Sequence, residues 1–255
     1  MELFDSLLDD ERLVRHLPTP LPSALADHLR LREAYQSRLA TLVVPDRLLA
    51  QAARQVPDGV SIPVSVITSG GAGGLLGLAR RALPGVDIVS AEPALRDLND
   101  LADSAARVVS AAAELGSDIA IFVELPYAPG WQAAVELVEA AGLYGKLAAE
   151  QAEPRRTAEQ LSILIEADLP FKITTGSSDQ GLAVLAATEV LINGASLDEA
   201  AELIQSADND RIQPVVSAWG QATQSRIRRR IRRLGSHQLV DLINDYVVAR
   251  RPTGS

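Results

Sequence analysis

The chain has 255 residues, 47% of them apolar, which is enough for one sizeable core and suits a single α/β barrel better than two small domains. With a net charge of -9, the protein surface as a whole is not suited to bind nucleic acid. The absence of cysteine excludes disulfides, thiolate catalysis and zinc sites that contain cysteine. Residues 1–8 carry two acids and no base, and no apolar run approaches the ~20 residues of a membrane span. We therefore expect a cytoplasmic protein without membrane contact.

Residues 1–39 predict an N-terminal helical extension. One helix covers Leu3 to His16, three closely spaced prolines up to Pro22 interrupt it, and a second helix begins near Ser23. From residue 40 to 176 short β-branched runs alternate with Ala- and Leu-rich helical runs, as is typical of βα units on a parallel sheet. The predicted strands are Thr41 to Val44, Val64 to Thr68, Asp87 to Ala91, Ile119 to Leu125, Tyr144 to Ala148 and Phe171 to Thr174. The helices between them are Asp46 to Arg54, Gly74 to Ala82, Ala94 to Leu115, Trp131 to Ala141 and Thr157 to Asp168.

Residues 177–255 read as mainly helical, with a short strand hidden near Ile212 to Val216 or Leu239 to Leu242. We expect one domain over residues 1–255, a TIM-type barrel whose last quarter is irregular or incomplete. The same alternation also permits an open doubly wound sheet. The helices predicted in this part are Gly181 to Ile192, Leu197 to Gln205, Val215 to Arg233 and Gln238 to Ala249.

Only two of the 24 basic residues are lysines, Lys146 and Lys172, and both lie inside predicted strands. Their spacing of 26 residues is about one strand-helix-strand repeat, which places them on neighbouring parallel strands. An amine can lose its proton and attack a carbonyl group, whereas a guanidinium cannot. The pair is therefore the first candidate for a chemical site.

The alternation of strand side chains places five polar residues in the barrel interior: Glu92, Glu124, Lys146, Lys172 and Thr174. Glu92, Glu124 and Thr174 fall at or near the carboxyl ends of their strands, where barrel active sites lie. Two carboxylates and two ammonium groups sum to zero charge, so their joint burial is physically reasonable.

These five interior residues allow two interpretations, one catalytic and one structural. In the catalytic interpretation Lys172 forms a Schiff base with an aldehyde or ketone, Lys146, Glu124 and Glu92 move protons, and Thr174 contacts the substrate. In the structural interpretation two Glu–Lys pairs fill a layer of the barrel.

The run Pro170-Phe-Lys-Ile-Thr-Thr-Gly176 resembles the lysine-bearing strand of deoxyribose-phosphate aldolases and related class I aldolases. That resemblance implies a barrel lysine that forms a Schiff base. No late Gly-Gly phosphate loop of the aldolase barrels is present, so the resemblance does not extend to a phosphorylated substrate.

A wider resemblance, over about residues 40–245, is to an uncharacterised bacterial TIM-barrel family, and it implies the barrel fold. It is carried by Val123-Glu-Leu-Pro126, Gly145-Lys-Leu147, Pro170-Phe-Lys172 and Leu234-Gly-Ser236. This chain departs from that family where Leu147 to Glu150 replaces an Arg-Thr-Gly-Gly stretch, and where Ser177 to Gln180 replaces a pair of histidines.

A glycine-rich loop, Ser69-Gly-Gly-Ala-Gly-Gly74, joins a predicted strand to a helix. Backbone amides in such a loop can bind an anion, although the Lys-Ser/Thr of a P-loop is missing. We predict that Ser69, Gly70 and Gly71 border the substrate site. A tight βα loop without a ligand is the alternative.

Six arginines lie in the segment from Arg226 to Arg233. The apolar residues Ile227, Ile231 and Leu234 recur at the spacing of one helix face. The pattern predicts an amphipathic helix whose basic face is solvated, meets another subunit or partner, or binds an anion. No aromatic residue is interleaved with the arginines, so nucleic-acid binding is not expected, while a homo-oligomer is left open. The three histidines, His16, His28 and His237, show no metal spacing, so we expect neither a metal nor a cofactor.

Together these observations predict a cofactor-free barrel enzyme of lyase or aldolase type that acts on a small carbonyl compound. The alternative is a non-catalytic binding or scaffold barrel with structural Glu–Lys pairs and a basic helix that docks a partner.

Overall fold

Eight parallel strands close into a barrel in the computed structural model, in which residues 2–14, 19–35, 37–78, 83–116, 118–150 and 152–249 are described. Each strand pairs with the next along the chain, and the last pairs with the first. This is the TIM-type architecture that the alternation predicted, and the open doubly wound sheet is wrong. The strands are β1 (Leu8–Asp10), β2 (Leu39–Pro45), β3 (Ile62–Thr68), β4 (Val86–Pro93), β5 (Ala120–Glu124), β6 (Tyr144–Ala148), β7 (Phe171–Thr175) and β8 (Ile231–Ser236).

The helices surround the barrel and follow the strands in sequence. In β2 almost every side chain is buried, because one face packs in the barrel and the other under the helices. The helices are α1 (Leu21–Tyr35), α2 (Asp46–Gln55), α3 (Ala72–Leu78), α4 (Leu101–Ala112), α5 (Trp131–Ala140), α6 (Pro154–Glu166), α7 (Ser178–Ile192), α8 (Leu197–Ser206), α9 (Asn209–Ser217), α10 (Gln221–Arg230) and α11 (Leu239–Ala249).

The N-terminal segment contains a strand that the sequence analysis missed. The helix predicted over Leu3 to His16 is wrong, because residues 3–7 form turns and Leu8–Asp10 is β1, between β2 and β8. β1 has only three residues, two of them acidic, so its sequence lacks the pattern of a strand. Its backbone pairing with β2 and β8 defines it. Residues 15–18 lie outside the described part of the chain.

The C-terminal part completes the barrel, so an incomplete last quarter is also wrong. The helix predicted over Val215 to Arg233 is divided into α9 and α10, and its end, Ile231 to Arg233, belongs to β8. Arginine favours helices, but closure between β7 and β1 overrides that local preference. Four helices separate β7 from β8, which is the irregularity that the sequence suggested. The segments proposed for a hidden strand lie in α9 and α11 instead.

The remaining predicted elements are present, and the starts of α3, α4, α6 and α7 differ from the predicted starts by two to seven residues. The helix predicted from Ala94 begins at Leu101, where the Asp100 side chain caps it by accepting a hydrogen bond from the backbone of Asp103. α3 begins at Ala72, and residues 79–82 at its predicted end lie outside the described ranges. In the residues that the structure describes, no helix has the length and apolar character to cross a bilayer.

Candidate functional site

Lys172, the second residue of β7, lies at the centre of a charged network inside the barrel. Its Nζ is 2.9 Å from Asp9 Oδ2, 2.9 Å from Glu11 Oε1 and 2.8 Å from Glu92 Oε1. The side chain is 0% exposed. Three carboxylates thus meet the three N–H donors of one buried ammonium group, which is the pairing that makes its burial tolerable.

Lys146 lies beside Lys172, because β6 and β7 pair these two residues directly. Its Nζ donates to Glu124 Oε2 at 2.9 Å and lies 2.9 Å from Glu92 Oε2, the latter without hydrogen-bond geometry. Glu92 therefore places one carboxylate oxygen toward each lysine. We call this set the barrel network: Asp9, Glu11, Glu92, Glu124, Lys146 and Lys172.

Neutral side chains orient the carboxylates of the barrel network. Ser65 Oγ donates to Glu92 Oε1 at 2.6 Å, and Thr41 Oγ1 donates to Asp9 Oδ1 at 2.7 Å. Thr174 Oγ1 donates to Glu11 Oε1 at 3.2 Å. These bonds fix which carboxylate oxygen faces each lysine.

Glu11 also requires a glycine beside it. A Cβ placed on Gly235 of β8 would lie 2.0 Å from Glu11 Oε1, far inside van der Waals contact. The Leu234-Gly-Ser236 stretch, noted in the sequence for its resemblance, therefore gives the carboxylate its place.

Asp9 and Glu11 are the two network residues that the sequence analysis missed. Both belong to or follow β1, which was interpreted as helix. A signal was present, since Leu7 and Leu8 precede Asp9-Asp10-Glu11, an apolar pair followed by acids as at the carboxyl end of a barrel strand. With all six groups ionised the network carries four negative and two positive charges, where the sequence predicted neutrality.

The surrounding charges keep both lysines protonated. Burial opposes the charge of Lys172, but Asp9, Glu92 and Glu11 outweigh it and raise the Lys172 pKa well above its ordinary value. The same balance, with Glu92 and Glu124 as the main anions, raises the pKa of Lys146. A lysine with a raised pKa is an ammonium group at neutral pH, so in this state it is an acid rather than a nucleophile.

The two fully buried glutamates respond in opposite directions. Burial raises the pKa of Glu11, and the attraction of Lys172 and Lys146 does not reverse this. For Glu92 burial also favours the neutral form, but the two lysines overcome it and lower the pKa. Glu92 is therefore the firmly ionised anion between the lysines.

Exposure increases along the barrel network toward the carboxyl ends of the strands. The Lys172 side chain is 0% exposed, that of Lys146 6%, and that of Glu124, the last residue of β5, 37%. Solvent therefore reaches the network through Glu124 and the edge of Lys146. Thr174, half-buried on β7, lies beside Glu11.

The glycine-rich loop has a set of hydrogen bonds of its own. The backbone N–H and Oγ of Ser69 donate to Asp46 Oδ2 at 2.9 and 2.8 Å, and Arg96 Nη1 donates to Ser69 O at 2.5 Å. Gly70 and Gly71 line a cavity of about 240 Å³ with Arg96. Among the described residues we find no hydrogen bond or ion pair between Ser69, Gly70 or Gly71 and either lysine, so their predicted place at the substrate site stays a prediction.

Neither histidine of the described ranges takes part in the barrel network. His28 is buried on α1, with Nδ1 3.1 Å from Asp10 Oδ2, while His237 lies beyond β8 and His16 is outside the described ranges. Within those ranges no group of three or more histidine, aspartate or glutamate side chains has an arrangement suited to a metal ion.

Comparison with known proteins does not assign the chain to a family. No protein-family model matches the chain, and no curated protein matches it. A solved structure that resembles it is 7,8-dihydropteroate synthase from Vibrio fischeri ES114, with a TM-score of 0.49, 10% identity, and coverage of 97% of this chain and 93% of that chain. The barrel is established by its own strand pairing, and the local resemblance to class I aldolases stays a prediction.

Proposed function

We propose that this protein is a barrel enzyme of lyase type that acts on a small carbonyl compound through acid–base chemistry. The observation that carries the proposal is the Lys146–Glu124 pair: an ammonium group 2.9 Å from a carboxylate that is 37% exposed at the carboxyl end of β5. Barrel enzymes place their chemistry at this end.

Each member of the pair has a role in the proposed reaction. The Lys146 ammonium donates a hydrogen bond to the substrate carbonyl oxygen, and the Glu124 carboxylate takes a proton from the adjacent carbon. The electron pair of the broken C–H bond moves toward the oxygen, and the enolate that forms faces the positive charge of Lys146. In the lyase step the carbonyl re-forms, a C=C bond forms to the β carbon, and a group on that carbon leaves with its bonding electrons and the proton held by Glu124. Ser65 and Lys172 fix the Glu92 carboxylate, and Glu92 in turn forms an ion pair with Lys146.

The sequence pattern predicts Lys172 as the reacting amine. The geometry supports Lys146 better, because Lys172 is unexposed and surrounded by three carboxylates, whereas Lys146 borders the partly exposed Glu124. A Schiff base at either lysine first requires loss of the ammonium proton, which the raised pKa values oppose.

The proposal is tested by hydrogen exchange into small carbonyl compounds. A panel of aldehydes, ketones and 2-oxo acids is incubated with the protein in D₂O, and loss of the proton next to the carbonyl is followed by NMR. Glu124→Gln is expected to lower the exchange rate by about 10²–10⁴-fold, because it removes the base. Glu139→Gln, an exposed position on α5, is the control and should exchange at the native rate. Absence of catalysed exchange across the panel would contradict the proposal.

One observation favours a second candidate, a non-catalytic barrel. The buried Lys172 ammonium group is fully paired by Asp9, Glu11 and Glu92 and needs no substrate to satisfy its charge. In that case replacing Lys172 lowers stability, while neither the native protein nor any lysine variant promotes exchange.

A further inference from the structure

A cavity of about 350 Å³ lies at the amino-terminal face of the barrel, opposite the Lys146–Glu124 pair. Asp168 and Pro170 lie just before β7, and Arg230 ends α10 immediately before β8, so the cavity is bordered where two strands begin. Its lining residues, which we call the arginine cavity, are Asp168, Pro170, Ile192, Arg226, Arg229 and Arg230.

The arginine cavity concentrates positive charge in an acidic chain. Arg226, Arg229 and Arg230 are spaced i, i+3 and i+4, so one turn of α10 presents all three to the same side. The lining contains three arginines and one aspartate, a difference of +2, although the whole chain carries -9. Like charges on one helical turn repel each other, so the cluster costs free energy unless an anion is bound.

The arginines are only partly neutralised by protein groups. Arg230 forms an ion pair with Asp168. Arg226 Nη2 lies 3.8 Å from Glu189 Oε1 and donates to Thr223 Oγ1 at 3.5 Å, so its protein contacts are loose. Arg229 is exposed and has no hydrogen bond or ion pair among the described residues. At least one guanidinium thus has all its donors available to a ligand.

The neighbouring residue Arg228 shows how basic this segment is. It is buried and donates to the backbone carbonyls of Ile231, Arg232 and Asp5. Burial, together with the nearby Arg233 and Arg232, lowers the pKa of Arg228 to about 10. The same positive field acts on any anion that reaches the cavity.

We propose that the arginine cavity binds a small phosphate monoester. A guanidinium fork pairs with two phosphate oxygens at once, and a dianion matches the excess charge of the lining. A volume of about 350 Å³ fits a small metabolite, with Pro170 and Ile192 as an apolar wall for its remainder. The lining has no aromatic side chain on which a nucleic-acid base could stack. The inference is independent of the proposed acid–base chemistry at the other end of the barrel.

The test is calorimetric titration of the full chain with inorganic phosphate and, separately, with glycerol 3-phosphate. We expect saturable binding that is at least about tenfold weaker in Arg226→Ala/Arg229→Ala. The matched control is Arg47→Ala/Arg54→Ala, which removes the same charge from exposed positions on α2 and should bind as the native protein does. Circular dichroism confirms that each variant is folded.

A second variant tests the same site in the opposite direction. Asp168→Asn removes the one carboxylate of the lining and keeps a residue suited to the positive φ of 55° at this position, so phosphate binding should tighten. The proposal is overturned by any of three results: no saturable binding below about 10 mM, equal weakening in the α2 control, or weaker binding in Asp168→Asn. Tighter binding of a single-stranded oligonucleotide than of either phosphate probe would also overturn it.

Discussion

Lys146 and Lys172 face each other across neighbouring strands, and a single carboxylate, that of Glu92, gives one oxygen to each of them. Two ammonium groups this close repel each other, so the anion between them sets the energy of the whole barrel network.

Glu92→Gln should lower the free energy of unfolding by about 3–5 kcal/mol at neutral pH, because two buried ammonium groups lose their shared anion. The Glu92 pKa is lowered in the fold, so its stabilisation is present above the ordinary value of 4.5 and is lost as the pH falls below it. Urea denaturation from about pH 3 to 8 should therefore show a deficit that is constant above about pH 6 and shrinks as the pH falls below 4.5. A deficit independent of pH would contradict the assignment of Glu92 as the ionised bridge.

Glu11→Gln should show the opposite trend. Burial raises the Glu11 pKa above its ordinary value of 4.5, so ionisation of this group lowers stability as the pH rises through and beyond that value. The amide removes the penalty while keeping the shape that Gly235 accommodates. In the same titration the variant should gain stability relative to the native protein toward higher pH, and a loss like that of Glu92→Gln would be inconsistent with the prediction.

Lys172→Met should destabilise the protein more than Lys146→Met. The first change leaves three carboxylates around an apolar side chain, at a loss of about 3–5 kcal/mol, whereas the second leaves Glu124 able to turn toward water. The Lys172 pKa is raised, so its stabilisation is complete below the ordinary value of 10.5 and declines only as the pH rises through the folded-state pKa. Equal midpoints of urea unfolding for the two variants would contradict the larger contribution to stability that we expect from Lys172.

Borohydride trapping separates the acid–base proposal from Schiff-base chemistry. The protein is incubated with each carbonyl compound and borohydride, and its lysine peptides are analysed by mass spectrometry. Only Lys146 and Lys172 can give lysine adducts, so Lys146→Met and Lys172→Met identify the position without ambiguity. We expect neither lysine to be modified at neutral pH, because both are protonated. An adduct lost only in Lys172→Met would restore Lys172 as the nucleophile.

Six of the eight strands could be predicted because β-branched runs mark them, as Val64 to Thr68 does for β3. Strand alternation then placed Glu92, Glu124 and the two lysines on one interior face, and the structure brings them together. β1 and β8 could not be found in this way. β1 has only three residues, two of them acidic, and β8 contains two arginines and a glycine. Both strands are held by pairing with strands far away in sequence, so the local pattern favours helix. Asp9 and Glu11 were missed with β1.

The chain has only two lysines, Lys146 and Lys172, and this has a practical consequence. Both ε-amines of the chain lie inside the barrel, 0% and 6% exposed, so the folded protein should resist acylation at its lysines. Opening of the barrel exposes these two amines to an acylating reagent. The rate at which the two lysines are modified would then report how often the strands separate, with no label introduced into the sequence.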